Sequence, residues 1–350
     1  MRKISFCDAI NEALVQEMTN DPSVFVYGIG VPDHKKIFGT TRNLVEKFGE
    51  RRCFDTPLAE DGLTGFGLGA ALNGLRPVQV HIRVDFMLLA MNQIVNMVST
   101  ATYGSGGKLK VPMVIRGIVG RGWGQGYQHS KSLHSYFTHI PGLKVVCPTT
   151  PADAKGLLTT AIRDDNPVIF LEHRWLYWAE DEVPEGDYSI PFGKANILRE
   201  GSDISIIATS WMNIEALRAA ELANKYHGLS VEVVDPRTLY PLDTEMLVNS
   251  VRKTGHCIVA DNDWASSGFG AEVACEIYDA AQHDINLCES IDRVGFAHTP
   301  CPTARHLENK FYPNAERLLR VIEKQFRLSP AVLDRSEQFY SHELKFKGPF

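Results

Sequence analysis

Glu60 stands in a frame of small residues. It is preceded by Asp55-Thr56-Pro57-Leu58-Ala59 and followed by Asp61-Gly62-Leu63-Thr64-Gly65-Phe66-Gly67-Leu68-Gly69-Ala70-Ala71. Small side chains let another backbone or a flat ligand approach closely. Phe86 follows 26 positions later, after an alternating apolar strand, Val78 to Ile82. One carboxylate and one aromatic, separated by a helix and a strand, suit the grip on a flat heteroaromatic ring. The plainer reading of Glu60 is an acid at a helix N-terminus, complementing the helix dipole. A second feature is the Gly-rich loop from Gly117 to Ser130, which carries His129. Loops placed after a strand often bear function. Ser130 and His129 make a serine–histidine pair by composition, but no acyl-enzyme framework surrounds them.

Other candidate motifs fall short. Gly65-x-Gly67-x-x-Ala70 fits a dinucleotide fingerprint in spacing alone. That fingerprint needs an apolar strand directly before it and an acid closing the next strand. Here Ala59-Glu60-Asp61-Gly62 precedes it, and Val78 to Ile82 is followed by Arg83. Gly104 to Lys108 lacks the spacing of a phosphate loop. His134 and His139 stand five apart, which is not a helical metal-ligand interval.

These residues need elements to hold them. Apolar runs predict strands at Val24–Gly28, Val78–Ile82, Val111–Arg116, Lys144–Cys147 and Val168–Leu171, with helices at Phe86–Ala101 and Pro151–Arg163. A second series predicts strands at Ile204–Ala208, Val231–Asp235 and Cys257–Asp261. Helices are expected near Met212–Tyr226, Thr244–Lys253 and Gly270–Ala281. Strands alternating with helices imply an α/β protein with two doubly wound domains. The boundaries expected are 1–180 and 201–330, joined by an acidic, Pro- and Gly-bearing linker at 181–200 and followed by a polar surface tail at 331–350. The Phe86–Val98 stretch is apolar almost all round, so it is either a central helix or a subunit contact.

Composition narrows the class. The chain has 350 residues, 44% hydrophobic and 22% charged, as in an ordinary globular enzyme. A net charge of −6 argues against nucleic acid or an anionic membrane as the main partner. Seven scattered cysteines, never spaced C-x-x-C, read as reduced thiols in a cytosol-like compartment, so a cytoplasmic location is expected. The first ten residues run into a helix with Ser5 or Asp8 as its cap. They contain no signal-peptide apolar core, and no stretch reads as a membrane span.

At Pro57 to Gly62, at Phe86 and at the Gln128-His129-Ser130 triplet, the chain resembles the β subunits of thiamine-diphosphate-dependent 2-oxo acid dehydrogenases. The resemblance spans roughly residues 3 to 328. In the second half it is carried by Val231 to Asp243 and by Gly268-Phe269-Gly270-Ala271-Glu272. It implies a transketolase-like pyrimidine-binding domain followed by a transketolase C-terminal domain. It assigns to Glu60 the carboxylate that hydrogen-bonds N1′ of the cofactor's aminopyrimidine and so promotes loss of the thiazolium C2 proton. It places Leu58 and Phe86 against that ring and His129 on the substrate side. It also implies a potassium ion held by backbone carbonyls of Met113, Ala161, Asp164 and Asn166. A helix-to-strand turn capped by Asp and Asn is the plainer account of that segment.

One absence matters as much. Chains that bind the cofactor's diphosphate carry Gly-Asp-Gly and, some way on, Asn-Asn, an oxygen site for Mg²⁺. Neither occurs here. The resemblance therefore implies a separate α subunit bringing Mg²⁺, an α2β2 heterotetramer with β–β contact, and a lipoyl acyltransferase core as acceptor. The chain departs from typical members at Gly28-Ile29-Gly30, at His81-Ile82-Arg83-Val84-Asp85, and at Arg121, Trp123 and Gln125. The activity expected is oxidative decarboxylation of a 2-oxo acid with acyl transfer to lipoamide. The alternatives are a two-subunit transketolase-like transfer to an aldehyde or sugar, and a scaffold without catalysis.

Overall fold

The computed structural model describes residues 1–33, 37–120 and 125–334. It divides into two compact units. The first comprises Met1–Gly120, Ser132–Phe192 and Leu239–Pro241; the second comprises Arg121–Lys131, Gly193–Thr238 and Leu242–Phe350. In chain order the strands are β1 (Arg2–Ser5), β2 (Val24–Gly28), β3 (Cys53–Phe54), β4 (Arg76–His81), β5 (Val114–Val119), β6 (Lys144–Val146) and β7 (Val168–His173). They continue with β8 (Glu180–Val183), β9 (Asn196–Arg199), β10 (Ile204–Ala208), β11 (Val231–Asp235), β12 (Thr238–Tyr240), β13 (Cys257–Trp264) and β14 (Asp292–Phe296).

The first unit is built on a seven-stranded sheet in the order β12-β6-β7-β5-β4-β2-β3. Its β2 to β7 pairings are parallel, with Val78 opposite Val26 and Val114, and Val114 opposite Val168. Every residue of β2, β5 and β7 is buried. Such runs are continuous rather than alternating because helices cover both faces of a parallel sheet. The Phe6–Asn20 helix starts at Ser5, whose Oγ accepts the Asp8 N–H at 3.2 Å. It packs on the Pro151–Arg163 helix. That helix has Thr150 as its cap and Pro151 in its first turn, where the missing N–H costs nothing. Arg163 ties the two helices by donating to both oxygens of Glu17 at 2.8 and 2.9 Å.

The second unit has a five-stranded sheet, β14-β13-β10-β11-β9, parallel except for the edge strand β9. One core joins Ile204, Ile206, Val231 and Val233 of the sheet to Ala216, Ala219 and Ala223 of the Trp211–His227 helix and to Leu318, Leu319 and Ile322 of the Ala315–Gln325 helix. The Thr244–Thr254 and Phe269–Asp284 helices pack on one another.

Two segments differ from the sequence reading. The stretch 181–200 contains most of β8, which pairs antiparallel with β1, and all of β9. The helix expected over Phe86–Ala101 is a series of helical pieces: Val84–Met87, a 3-10 turn at Leu88–Ala90, a π-helical run at Asn92–Val98, and Ala101–Gly104. Leu89 and Met97 are exposed there while Ile94 and Val98 are fully buried. The seven cysteines form no disulfide. Among the described residues, no helix is long and apolar enough to cross a membrane.

Candidate active site

The Glu60–Leu72 helix ends shortly before β4 begins and packs against it. It therefore runs antiparallel to β4, with its N-terminus over the strand's carboxyl end. In open α/β sheets that edge is where ligands bind. Glu60 is the first residue of the helix and is only 8% exposed. One turn on, Thr64 Oγ1 donates to the Glu60 carbonyl at 2.8 Å and lies 3.0 Å from Gln79 Oε1 of β4. Tyr27 of β2 donates its hydroxyl to the Leu63 carbonyl at 2.9 Å. The approach to the helix is held by Asp55, whose Oδ1 accepts the N–H of Gly30 and of Thr56, each at 2.8 Å. Among the described residues, no protein donor is hydrogen-bonded to the Glu60 carboxylate. A buried acid with its oxygens available is suited to a donor on a ligand.

Beyond β4 the chain turns through Arg83, at φ 154°, whose Nη1 donates to the Gly120 carbonyl at 3.0 Å. This buried anchor sets the start of the short Val84–Met87 helix and so places Phe86 at the same sheet edge as Glu60. Phe86 is 37% exposed and Leu58 is 81% exposed. Both have surface to give to something outside this unit. Thr64, Gln79 and Tyr27 do not stand out in the sequence as site residues. Their polar types inside apolar stretches are the signal that could have found them.

Strands β5 and β7 bury a charged pair between them. Arg116 donates through Nε and Nη2 to the two oxygens of Glu172, the Nη2 contact at 2.9 Å, and Tyr177 donates to Glu172 Oε2 at 2.9 Å. Burial opposes the Arg116 charge, but the adjoining Glu172 carboxylate outweighs it and raises the guanidinium pKa. Burial and the same carboxylate push the Tyr177 phenol well above its ordinary value. On β4, burial alone lowers the His81 pKa to about 4, so its ring is neutral.

Met113, Ala161, Asp164 and Asn166 surround the turn into β7. Asp164 Oδ1 accepts both the backbone and the side-chain N–H of Asn166, at 2.8 and 3.1 Å. The Met113 carbonyl accepts the Val168 N–H at 2.9 Å. Arg76 spans the carbonyls of Ile162 and Asp164, each at 3.0 Å, and the Asp165 carboxylate at 2.9 Å.

His129 belongs to the second unit. It is partly buried, follows a 3-10 turn at Gly126–Gln128, and donates its N–H to the Gly126 carbonyl at 3.4 Å. The next residue, Ser130, is fully buried, and its carbonyl accepts the Tyr312 hydroxyl at 2.9 Å. Gly126 has φ +60°, and a Cβ there would stand 2.6 Å from Thr303 Oγ1. Arg121 and Trp123 lie outside the described residues. Among the described residues, no cluster of three His, Cys, Asp or Glu could hold a metal ion.

Comparison with known proteins agrees with this layout. Residues 2–178 match the transketolase pyrimidine-binding domain and residues 193–318 the transketolase C-terminal domain. A solved structure described as a split-gene transketolase, an inactive β4 tetramer, superposes with a TM-score of 0.74 at 24% identity. The match covers 93% of this chain and 99% of that one, and it speaks for the fold. The acetoin:2,6-dichlorophenolindophenol oxidoreductase subunit beta of Cupriavidus necator is 43% identical, covering 93% of this chain and 98% of that protein. The mitochondrial pyruvate dehydrogenase E1 component subunit beta of Saccharomyces cerevisiae is 38% identical over 91% of this chain and 87% of its own length. The corresponding Rickettsia conorii subunit is also 38% identical, over 92% and 98%. These relatives favour the dehydrogenase reading over the sugar-transferring alternative. The chain belongs to the transketolase-like family of 2-oxo acid dehydrogenase E1 β subunits.

Proposed function

We propose that this chain supplies the aminopyrimidine-binding half of a thiamine-diphosphate site in a 2-oxo acid dehydrogenase, and that an α subunit supplies the rest. The observation that carries this reading is Glu60, buried at a helix start with no protein donor on its carboxylate among the described residues. Thiamine diphosphate, when bound, supplies a nucleophilic carbon that accepts the 2-oxo acid and releases carbon dioxide. Glu60 holds the proton at N1′ of the ring, Phe86 packs on the ring, and Leu58 covers it. His129 donates or accepts a proton on the substrate side. The donor set fits the pyrimidine half alone. The sequence lacks the Gly-Asp-Gly and Asn-Asn elements for Mg²⁺ and diphosphate.

The assembly we infer is an α2β2 heterotetramer in the cytoplasm, with Mg²⁺ brought by the α chain and a lipoyl acyltransferase core as acceptor. The exposed Leu89 and Met97 support a β–β contact along the 88–98 run. The name of the Cupriavidus relative puts acetoin in the substrate panel beside the 2-oxo acids. A potassium ion on Met113, Ala161, Asp164 and Asn166 is part of the same proposal. The Met113 and Asp164 carbonyls each already accept one hydrogen bond and keep a second lone pair. A higher unfolding midpoint in KCl than in NaCl at equal ionic strength supports the ion; identical midpoints remove it.

The central test is Glu60→Gln in the enzyme assembled with its α partner. An amide keeps a hydrogen bond but cannot exchange the proton. Proton–deuterium exchange at C2 of bound cofactor should slow on the order of 10²–10⁴-fold, the span of general acid–base catalysis. Unchanged exchange would remove Glu60 from the role. Mg²⁺-dependent cofactor binding should need both chains, and micromolar binding by this chain alone counts against the split site.

A further inference from the structure

Glu60 opens its helix without a side-chain cap, since Ala59 before it makes no capping hydrogen bond. The leading N–H groups of a helix have no intrahelical partners, and an uncapped start is the less stable for it. The helix also carries Gly62, Gly65, Gly67 and Gly69. Only proline is a poorer helix former than glycine. The carboxylate whose placement matters most thus stands at the least secure end of a weak helix. Something other than helix propensity has to hold it.

The hold is polar and buried. Gln79 lies inside β4 and is 2% exposed, and Thr64 on the helix is fully buried. An apolar pair could pack these elements with no polar group to desolvate. A buried polar pair is costly unless its hydrogen bonds are made. Thr64 Oγ1 stands 2.8 Å from the Glu60 carbonyl and 3.0 Å from the Gln79 amide. A helical threonine often bonds back to the carbonyl four residues earlier. Here an amide from the sheet joins that bond. The hydroxyl has one proton to give. Because an amide has nearly the same shape either way round, it serves best with its N–H toward Thr64. Gln79 then donates to Thr64, and Thr64 donates to the Glu60 carbonyl. Tyr27 is the residue beside Gln79 in the β2–β4 register, and its hydroxyl reaches the Leu63 carbonyl. Two neighbouring strand residues therefore grip the first turn of the helix.

We propose that Thr64 and Gln79 are positioning residues: together they tie the Glu60 carbonyl to β4 and so fix where the Glu60 carboxylate meets the cofactor ring. This rests on the role proposed for Glu60.

The test uses the enzyme assembled with its α partner. Three quantities are measured: C2 proton–deuterium exchange, the urea midpoint, and backbone deuterium uptake over residues 60–66. Thr64→Val keeps the side-chain shape and removes the hydroxyl. It should slow C2 exchange about tenfold, within the ~10²-fold that a 1 Å misplacement can cost, and speed the uptake. Thr64→Ser keeps the hydroxyl and should retain most of the native rate. Thr64→Val combined with Gln79→Leu leaves neither partner buried and unpaired, so its urea midpoint should return toward the native value. Its C2 exchange should stay slow, whereas a pair that served only stability would recover both. Native C2 exchange in the double variant, native uptake in Thr64→Val, or Thr64→Ser as slow as Thr64→Val would each overturn the positioning role. Failure of the Glu60 reading looks different: Glu60→Gln would then exchange at the native rate while the uptake change in Thr64→Val persists.

Discussion

Tyr27 and Gly67 lie so close that a Cβ at Gly67 would stand 2.1 Å from the phenol oxygen, and 2.6 Å from the Met113 Cε. The same phenol hydrogen-bonds the carbonyl of Leu63, one turn earlier. Burial pushes the Tyr27 phenol far above its ordinary pKa, so it remains a donor. The glycine therefore lets the Glu60 helix rest on β2, and the tyrosine sets how far along it rests.

Gly67→Ala should accordingly lower stability by about 1–3 kcal/mol, the usual cost of overpacking. It should also slow C2 exchange by shifting Glu60. Gly69 is on the same helix, and a Cβ added there would meet nothing within 4 Å. Gly69→Ala should stabilise by up to about 1 kcal/mol through helix propensity alone. Denaturant midpoints of the two variants should move in opposite directions. Equal shifts would mean that the Tyr27 contact does not position the helix.

His81 gives the fold an acid-side weakness. Its folded pKa is about 4, lowered by burial from an ordinary value of 6.5. Above pH 6.5 the ring is neutral in both states and the contribution is fully present. Between 6.5 and 4 only the unfolded chain takes up the proton, so stability falls as pH falls. The whole effect is about 3 kcal/mol, since each pH unit separating the folded and unfolded values is worth about 1.4 kcal/mol. His81→Phe should flatten the unfolding free energy between pH 7 and 4. An unchanged slope would place the titration elsewhere.

The Arg116–Glu172 pair should behave asymmetrically. Both side chains are 1% exposed. Glu172→Leu leaves a buried guanidinium without its carboxylate and should cost about 3–5 kcal/mol. The double variant Arg116→Met with Glu172→Leu removes both charges and should recover most of that loss. Urea midpoints of the two single variants and the double variant measure the coupling. Additive losses would show that the pair is not a unit.

Some of this is legible in the sequence. The Pro151–Arg163 helix carries its cap and its first-turn proline in the sequence, and its limits agree with the structure. The break from extended chain to helix at Glu60 is readable from the change to Gly and Ala spacing. The Phe86–Ala101 segment reads as one helix because an apolar stripe does not report hydrogen-bond register. A π-helical run, in which Ser99 N–H reaches the Ile94 carbonyl, has the same residue types as an α-helix. Assignment of Arg121–Lys131 to the second unit and Leu239–Pro241 to the first is also hidden, since it arises from pairings distant in sequence.

His129→Ala tests the role proposed for that residue. Glu60 is assigned to the cofactor ring, so C2 exchange should be spared when His129 is lost. The imidazole is assigned to the substrate and acyl group, so a later step should slow, within the roughly 10²–10⁴-fold span of general acid–base catalysis. Acylation of a lipoyl domain should fall more than turnover with an artificial electron acceptor, because only the first passes the acyl group to a sulfur of the lipoyl disulfide, whose S–S bond is reduced as it accepts the group. Equal losses with both acceptors would move His129 to decarboxylation. No loss with either would leave it a structural residue, held by the Gly126 turn and the Tyr312–Ser130 bond. If the native assembly acylates no lipoyl domain but joins a 2-oxo acid to an aldehyde, the acceptor assignment falls. Glu60 keeps its role in that case, because both chemistries begin with the same proton.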